Sequence, residues 1–367
     1  MVRRISVHYY SSEIIKEKLL IEVIFPIVKK FHSMGIKSYI RREWKFGPHI
    51  EVIYENDGRI NEKEIIEKLK LDVKKFQDIN GYDEKFDKKA YAKVIKDTAK
   101  MEREKKYLPI QEQGYIFVDD YDIKKKSGEY TSINEKVCFE EYNFKIAPYI
   151  MELLEKMFRM NFKERIIYFG KCLAILATNY PKYGASKGYL SFVSHSEGFL
   201  GNKRRKTQIY RDRFKKFYDL YSSETEDEVR KLIFSYRDNT LKEYDELIFE
   251  MNEVFKDFIN EIRHVIKEDK ENSNKTWISY GKRKREVGRR FRGKSKFHTG
   301  LLNGDREFTS FIVSDDFNCY RLLVNFLFNQ TPVIGFSASS RMLSCYMCYH
   351  AIEACYGESW EHKLGLV

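Results

Sequence analysis

A chain of 367 residues that is 43% hydrophobic and 15% aromatic, with 26 tyrosines and 27 phenylalanines, can bury a large core and is not a disordered polymer. It carries a formal charge of +12, and no apolar run reaches the roughly twenty residues of a bilayer span, so an acidic partner is expected and a membrane span is not. The excess is localised, because Lys282 to Lys296 holds nine Lys or Arg against Glu286 alone and Lys203 to Lys206 forms a second run of four.

In chain order, Ile5, Val7 and Tyr9 alternate with Ser6, His8 and Tyr10, the period of a half-buried strand. A helix follows, capped by Ser11 or Ser12 and carrying Ile14, Ile15, Leu19, Leu20, Val23 and Ile24, with Pro26 bending or breaking it. SYIRREW and HIEVIY read as two strands joined by a turn at Phe46, Gly47 and Pro48. Within the second strand His49, Glu51 and Ile53 share one face, and Arg41 and Arg42 point to opposite faces of the first, so only one of the two arginines can face a site lined by His49.

Residues 61 to 78 and 87 to 106 carry charged helical patterns, and 114 to 140 are turn-rich with Tyr115, Phe117 and Val118 as a strand. A long helix or helix pair is expected from about Tyr149 to Asn179. Further helices are expected around Tyr210 to Leu220 and from about Glu224 to Ile266 with a break near Asn239. Two apolar helices, about Phe308 to Asn329 and Ser339 to Cys355, close the chain. The expected fold class is α+β, a small mixed or antiparallel sheet covered by many helices. One catalytic unit is expected over 1–367, with an α/β part over about 1–140 and a mainly helical part over about 141–367.

The six cysteines, with no signal peptide ahead of them, read as those of a reduced, cytoplasmic chain. Cys345 and Cys348 spell CxxC, but inside an apolar helical pattern and without a second pair or paired histidines, so no metal is expected. No phosphate-cradling loop, dinucleotide fingerprint or HExxH occurs. The run KRKREVGRRFRGK suits phosphate or carboxylate, and with no base-reading module around it an acidic peptide is the more economical partner than nucleic acid.

Chemistry concentrates in GYLSFVSHSEGFLGN, Gly188 to Asn202, where Ser191, Ser194, His195 and Glu197 crowd together without evident helical spacing. Either this stretch moves protons, or Tyr189, Leu190, Phe192 and Val193 form a short buried strand whose following turn His195 and Glu197 tie down.

The N-terminal IEVIFP helix, the block YIRREWKFGPHIEVIY and the late DDFNCYRLLVNFLFNQ resemble the C-terminal elimination domain of class I lanthipeptide dehydratases. With GYLSFVSHSEGFL added, the chain is most similar to the stand-alone members, the thiopeptide pyridine synthases. The resemblance is diffuse, nearly full length, and sharpest in GPHI. Two departures stand out. Where eliminating domains read HLRLR, this chain has His49, Ile50, Glu51, Val52 and Ile53, and it has Phe317 to Arg321 where they present a histidine before Asn-Arg. Both losses weaken glutamate elimination and leave pyridine formation standing.

The resemblance implies an enzyme of RiPP maturation, acting on ribosomally made, post-translationally modified peptides. It would join two dehydroalanines of one precursor by a formal aza-[4+2] cycloaddition, with loss of water and leader peptide and no redox cofactor. On that reading His195 transfers protons, Glu197 orients it, and Ser191 or Ser194 bonds the amide or leaving hydroxyl, while Tyr189, Tyr320 and Arg321 polarise a developing oxyanion. Arg41, Arg42, Trp44 and His49 would hold the peptide, and Arg283, Arg285, Arg289 and Arg290 its acidic leader. Other maturation enzymes of the same peptide are natural partners. The rival readings are a split glutamate-eliminating component and a leader-binding scaffold without catalysis.

Overall fold

The structure is a computed structural model that describes residues 1–102, 104–124, 132–201, 205–272, 295–303 and 314–365. The chain forms two compact units, Met1–Phe158 with Gln330–Gly335, and Arg159–Asn329 with Phe336–Val367. The basic residues Arg283, Arg285, Arg289 and Arg290 lie outside the described residues.

In the first unit, strands β1 (Val2–His8), β2 (Ser38–Glu43), β3 (His49–Glu55) and β4 (Ile116–Asp120) form one sheet in the order β2-β3-β1-β4. All neighbours are antiparallel, and helical connections join β1 to β2 and β3 to β4, which is the split βαβ order of ferredoxin-like sheets. The β1–β2 connection is α1 (Glu13–Leu19), one π-helical turn over Leu20–Ile24, and α2 (Phe25–Ser33). Pro26 falls in the first turn of α2, where its missing N–H costs least, so it bends the run at a π turn instead of ending it. The β3–β4 connection carries α3 (Glu62–Asn80), capped by Asn61, and α4 (Lys88–Glu102).

Strand parity assigns the two faces of the sheet different covers. Val52 and Tyr54 lie on one face, where Phe31 of α2 meets the Tyr54 ring at 5.0 Å. On the other face Tyr39 and Ile53 pack against Phe144 and Ala147 of α5 (Ile133–Phe158). α5 begins well before Tyr149, over a stretch whose polarity reads as loop. Its buried Cys138, Phe139, Tyr142 and Ile146 recur at helical spacing, and the helix continues through Pro148. Gln330–Gly335 belongs to this unit, where Gln330 Nε2 donates to Asn143 Oδ1 at 2.8 Å and Arg42 Nη1 donates to the Pro332 carbonyl at 2.9 Å.

The second unit is helical. It comprises α6 (Phe162–Thr178), α7 (Ala185–Gly188), α8 (Leu190–Leu200), α9 (Arg205–Arg237), α10 (Leu241–Tyr244), α11 (Glu246–Asn272), α12 (Lys296–Asn303), α13 (Asp315–Gln330), α14 (Ala338–Tyr356) and α15 (Trp360–Lys363). α6 starts at a capping box made by Asn161 and Glu164 and is buried from Ile166 to Ala177. α14 packs against α6, α8 and α9. Its Cys345 and Cys348 are buried thiols, and burial pushes Cys345 up to about 12. The break near Asn239 is real, since that residue takes φ 58° between α9 and α10.

The stretch after Gly188 is a helix and not a strand with a turn. Gly188 is required by the close passage of α6: a Cβ there would stand 2.3 Å from the Ala177 carbonyl oxygen. From Leu190 the buried residues Val193, Ser196, Glu197 and Leu200 recur at helical spacing, while Ser191, Ser194, His195 and Gly198 form a half-exposed stripe on the other side.

Candidate functional site

Two sets of polar side chains stand out, one in each unit. On the α5-side face of the sheet, register aligns Arg41 with Glu51 and Glu51 with Ser6, then Glu43 with His49 and His49 with His8. Arg4 lies opposite Asp119 on β4. Arg41 therefore shares a face with His49, and Arg42 does not, as period two requires.

Glu51 is the hub of this face. Arg4 Nη1 donates to Oε1 at 2.9 Å, His49 Nε2 lies 3.1 Å from the same oxygen, and Arg41 Nε donates to Oε2 at 2.8 Å. Glu51 is 1% exposed, and burial alone would raise its pKa. Arg41, His49 and Arg4 overcome that and hold the carboxyl well below the usual carboxylate range. His49 Nδ1 lies 2.9 Å from the Gly47 carbonyl, so both ring nitrogens face acceptors.

The arginines are in turn committed. Arg41 Nη2 pairs with Glu43 at 2.9 Å, and Arg4 Nε donates to Asp119 at 2.8 Å. Arg41 Nη1 donates to the Tyr121 hydroxyl at 3.2 Å, and that hydroxyl donates to Glu140 Oε1 at 2.6 Å, whose second oxygen accepts from Tyr39. These side chains lead into a cavity of about 250 Å³ lined by three cations, Arg4, Arg41 and Lys45, and three carboxylates, Glu43, Glu51 and Asp119, with Tyr115 and Phe117 alongside. Such a cavity is polar but charge-balanced, and suits a hydrogen-bonding neutral group such as a peptide amide better than a free carboxylate.

Two further features shape this cavity. His8, fully buried and with no hydrogen-bond partner on either nitrogen among the described residues, stacks on His49 with ring centroids 4.5 Å apart. Phe46 lines the cavity with φ 60°, a conformation costly for a bulky side chain. It is held there by Phe46 N–H donating to the Tyr107 carbonyl at 2.9 Å and by Gln111 N–H donating to Phe46 at 2.8 Å. Next to it, Gly47 takes φ 106°, where a Cβ would meet the Tyr10 hydroxyl at 2.5 Å.

Arg42 turns to the opposite face, where it pairs with Glu13 at 2.7 Å. Trp44 is half-buried, and its carbonyl accepts from the Tyr91 hydroxyl at 3.1 Å. In the second unit, α8 brings Ser191, Ser194 and His195 onto one half-exposed stripe, with the His195 ring edge-on to Phe328 at 4.7 Å. Glu197 is not with them. Residues two apart on a helix do not face each other, and the buried Glu197 carboxylate pairs with Arg211 at 3.3 Å. Glu197 therefore anchors α8 to α9 instead of orienting His195. Tyr189 and Tyr320 are buried at 1% and 0% exposure, and the Tyr320 hydroxyl donates to the Gly188 carbonyl at 2.9 Å. Arg321 is half-buried on α13.

Sequence reasoning missed Arg4, His8, Glu51 and Asp119 on the sheet, Tyr121 just after β4, Glu140 on α5, and His298, whose Nε2 lies 3.0 Å from Ser194 Oγ. Alternation along β1 does put Arg4, Ser6 and His8 on one face, and that was the available signal.

A split βαβ sheet followed in the chain by a helical unit is an α+β fold, and it is the fold of a solved thiopeptide pyridine synthase. The chain aligns with the pyridine synthase TbtD from thiomuracin biosynthesis over 97% of its own length and 99% of that chain, at 16% identity and a TM-score of 0.57. It aligns with the crystal structure of TsrL over 99% and 98% of the two chains, at 14% identity and a TM-score of 0.66. No protein-family model matches the chain, and no curated protein matches it significantly.

Proposed function

We propose that this protein matures a thiopeptide-type precursor, joining two dehydroalanines by a formal aza-[4+2] cycloaddition and then expelling water and the leader peptide to leave a pyridine within a macrocycle. The observation that carries this reading is the end-to-end correspondence of fold with a pyridine synthase, over 97% of one chain and 99% of the other.

The polar face of the sheet supports the same reading over its nearest rival. A glutamate-eliminating component needs uncommitted arginines to clamp a carboxylate. Here Glu51 stands on β3 where the rival expects an arginine, and with Glu43 and Asp119 it occupies both Arg4 and Arg41. What remains on offer is hydrogen bonding to a neutral peptide group.

The tasks of the protein are to hold two alkenes in contact, to favour the iminol form of one amide and to move protons to departing groups. Holding the two ends together is worth several kcal/mol of the barrier, about 7 or more when the geometry is near attack. His195, on the half-exposed stripe of α8 with Ser191 and Ser194, is a proton-transfer group, and the serines bond the amide or the leaving hydroxyl. Arg321 polarises developing charge on oxygen. Tyr189 and Tyr320 act by packing, as their burial dictates. Arg41 and His49 present the polar cavity to the peptide, and the acidic leader is drawn to the basic segment around Arg283, Arg285, Arg289 and Arg290.

Mass spectrometry of a peptide already carrying dehydroalanines tests the reading. Release of the leader and loss of water support it. Action on a glutamylated peptide alone would establish the eliminase, and binding without any mass change would establish the scaffold.

A further inference from the structure

The half-exposed stripe of α8 meets a histidine that lies 104 positions further along the chain. Ser194 Oγ stands 3.0 Å from His298 Nε2, and on the other side of the ring Nδ1 stands 2.9 Å from Ser295 Oγ. Ser295 precedes α12 and accepts the His298 backbone N–H at 3.3 Å, which holds its hydroxyl oxygen beside the ring. Ser295 and His298 are buried at 4% and 2% exposure, whereas Ser194 is half-exposed. A neutral imidazole carries one proton. In the Nδ1–H tautomer Ser295 Oγ accepts at Nδ1, and Nε2 is a base facing the serine.

We propose that His298 is the positioning residue that turns Ser194 into a proton-transfer hydroxyl, with Ser295 holding the imidazole in the Nδ1–H tautomer. The inference deepens the pyridine-forming reading and takes its substrate from it. The step served is loss of water from the cycloadduct. A ring C–H proton passes to Ser194 Oγ as the serine's own proton moves to Nε2, and the C–H electron pair becomes the new ring double bond. The C–O pair leaves with the adjacent hydroxyl, and the proton held on Nε2 returns through Ser194 to make that hydroxyl water. Serine and imidazole end as they began. The arrangement has the same parts as other activated hydroxyls, a hydroxyl in hydrogen-bond reach of a base that a third group orients.

The test combines Ser194→Ala, His298→Gln and the double variant with a bis-dehydroalanine peptide. Each single variant is expected to slow pyridine formation about 10²- to 10⁴-fold, to accumulate the hydrated cycloadduct, and to leave KM within about 3-fold, with the double variant no slower than either single one. Imidazole ¹⁵N spectra supply a readout that needs no turnover. His298 should show a protonated Nδ1 and an unprotonated Nε2 whose signal moves in Ser194→Ala. Unslowed pyridine formation in Ser194→Ala, or a proton found on Nε2, would overturn the proposal. If the unaltered enzyme converts no peptide, the pyridine reading fails by itself. The spectra then decide the pair alone, with Nδ1–H retaining it and Nε2–H removing it.

Discussion

His8 and His49 stack with ring centroids 4.5 Å apart, the first ring fully buried without a hydrogen-bond partner among the described residues and the second facing an acceptor at each nitrogen. Burial first, and the neighbouring His49 second, lower the His8 pKa to about 3, against a smaller opposing pull from Glu51. The folded state therefore excludes a proton that the unfolded chain accepts below about pH 6.5. Stability is complete above that pH and falls as pH drops toward 3. Buried carboxylates such as Glu51, held low by their cations, begin to cost stability only below their unfolded values near pH 4.5, so the loss from His8 sets in at higher pH than theirs. Between pH 6.5 and 5 the loss is expected to be about 2 kcal/mol, and His8→Phe should abolish it. Urea unfolding at the two pH values checks this, and an unchanged pH slope in His8→Phe would contradict it.

Glu51→Gln removes the charge that Arg4 and Arg41 share. Because Glu51 is 2% exposed at its side chain and Arg4 and Arg41 are about three-quarters buried, the variant leaves poorly compensated guanidiniums on the sheet. A loss of about 3 kcal/mol or more is expected in denaturant unfolding. A double-mutant cycle with Arg41→Met should return a coupling of at least about 1 kcal/mol, and additive effects would dissolve the hub.

Gly188→Ala tests the close passage of α6 beneath the start of α8. The new methyl would collide with backbone at Ala177, which cannot turn aside as a side chain tip can, and Tyr320 would lose its acceptor geometry at the Gly188 carbonyl. A cost of about 1–3 kcal/mol is expected, read as a lowered urea midpoint.

Much of the first unit is readable from local periodicity, and the site on it is not. Period two correctly separates Arg41 from Arg42 and pairs His49 with Glu51 on one face. That β1 lies between β3 and β4 is a matter of long-range register, and only this register carries Arg4 to Glu51 across 47 positions. Glu51 itself reads as the loss of an expected arginine, whereas in the folded chain it is what neutralises the arginines on the neighbouring strands. The α8 stretch misleads for a different reason. Its apolar Tyr189 to Val193 and its glycines imitate a strand and turn, yet Ser191, Ser194, His195 and Gly198 keep helical spacing, and the glycine at 188 answers to a neighbouring helix. His298 lies too far along the chain for any local pattern to reach Ser194.

The localisation of charge makes a further expectation. If the basic segment around Arg283, Arg285, Arg289 and Arg290 draws an acidic leader, affinity should fall as salt rises, since exposed charges are screened within about 10 Å at 0.1 M. Replacing those four arginines by glutamine should flatten the salt dependence in a titration of labelled leader peptide. Equal affinity at low and high salt would remove the leader from this segment.

The central claim is that this fold forms a pyridine from two dehydroalanines, and its most direct test is one incubation of the purified protein with a leader-bearing peptide already dehydrated at two positions. Mass spectrometry should then find the free leader and a core lighter by the leader and one water, with formation slowed by His195→Ala. An intact peptide of unchanged mass, beside a glutamylated peptide that does lose glutamate, would contradict the claim.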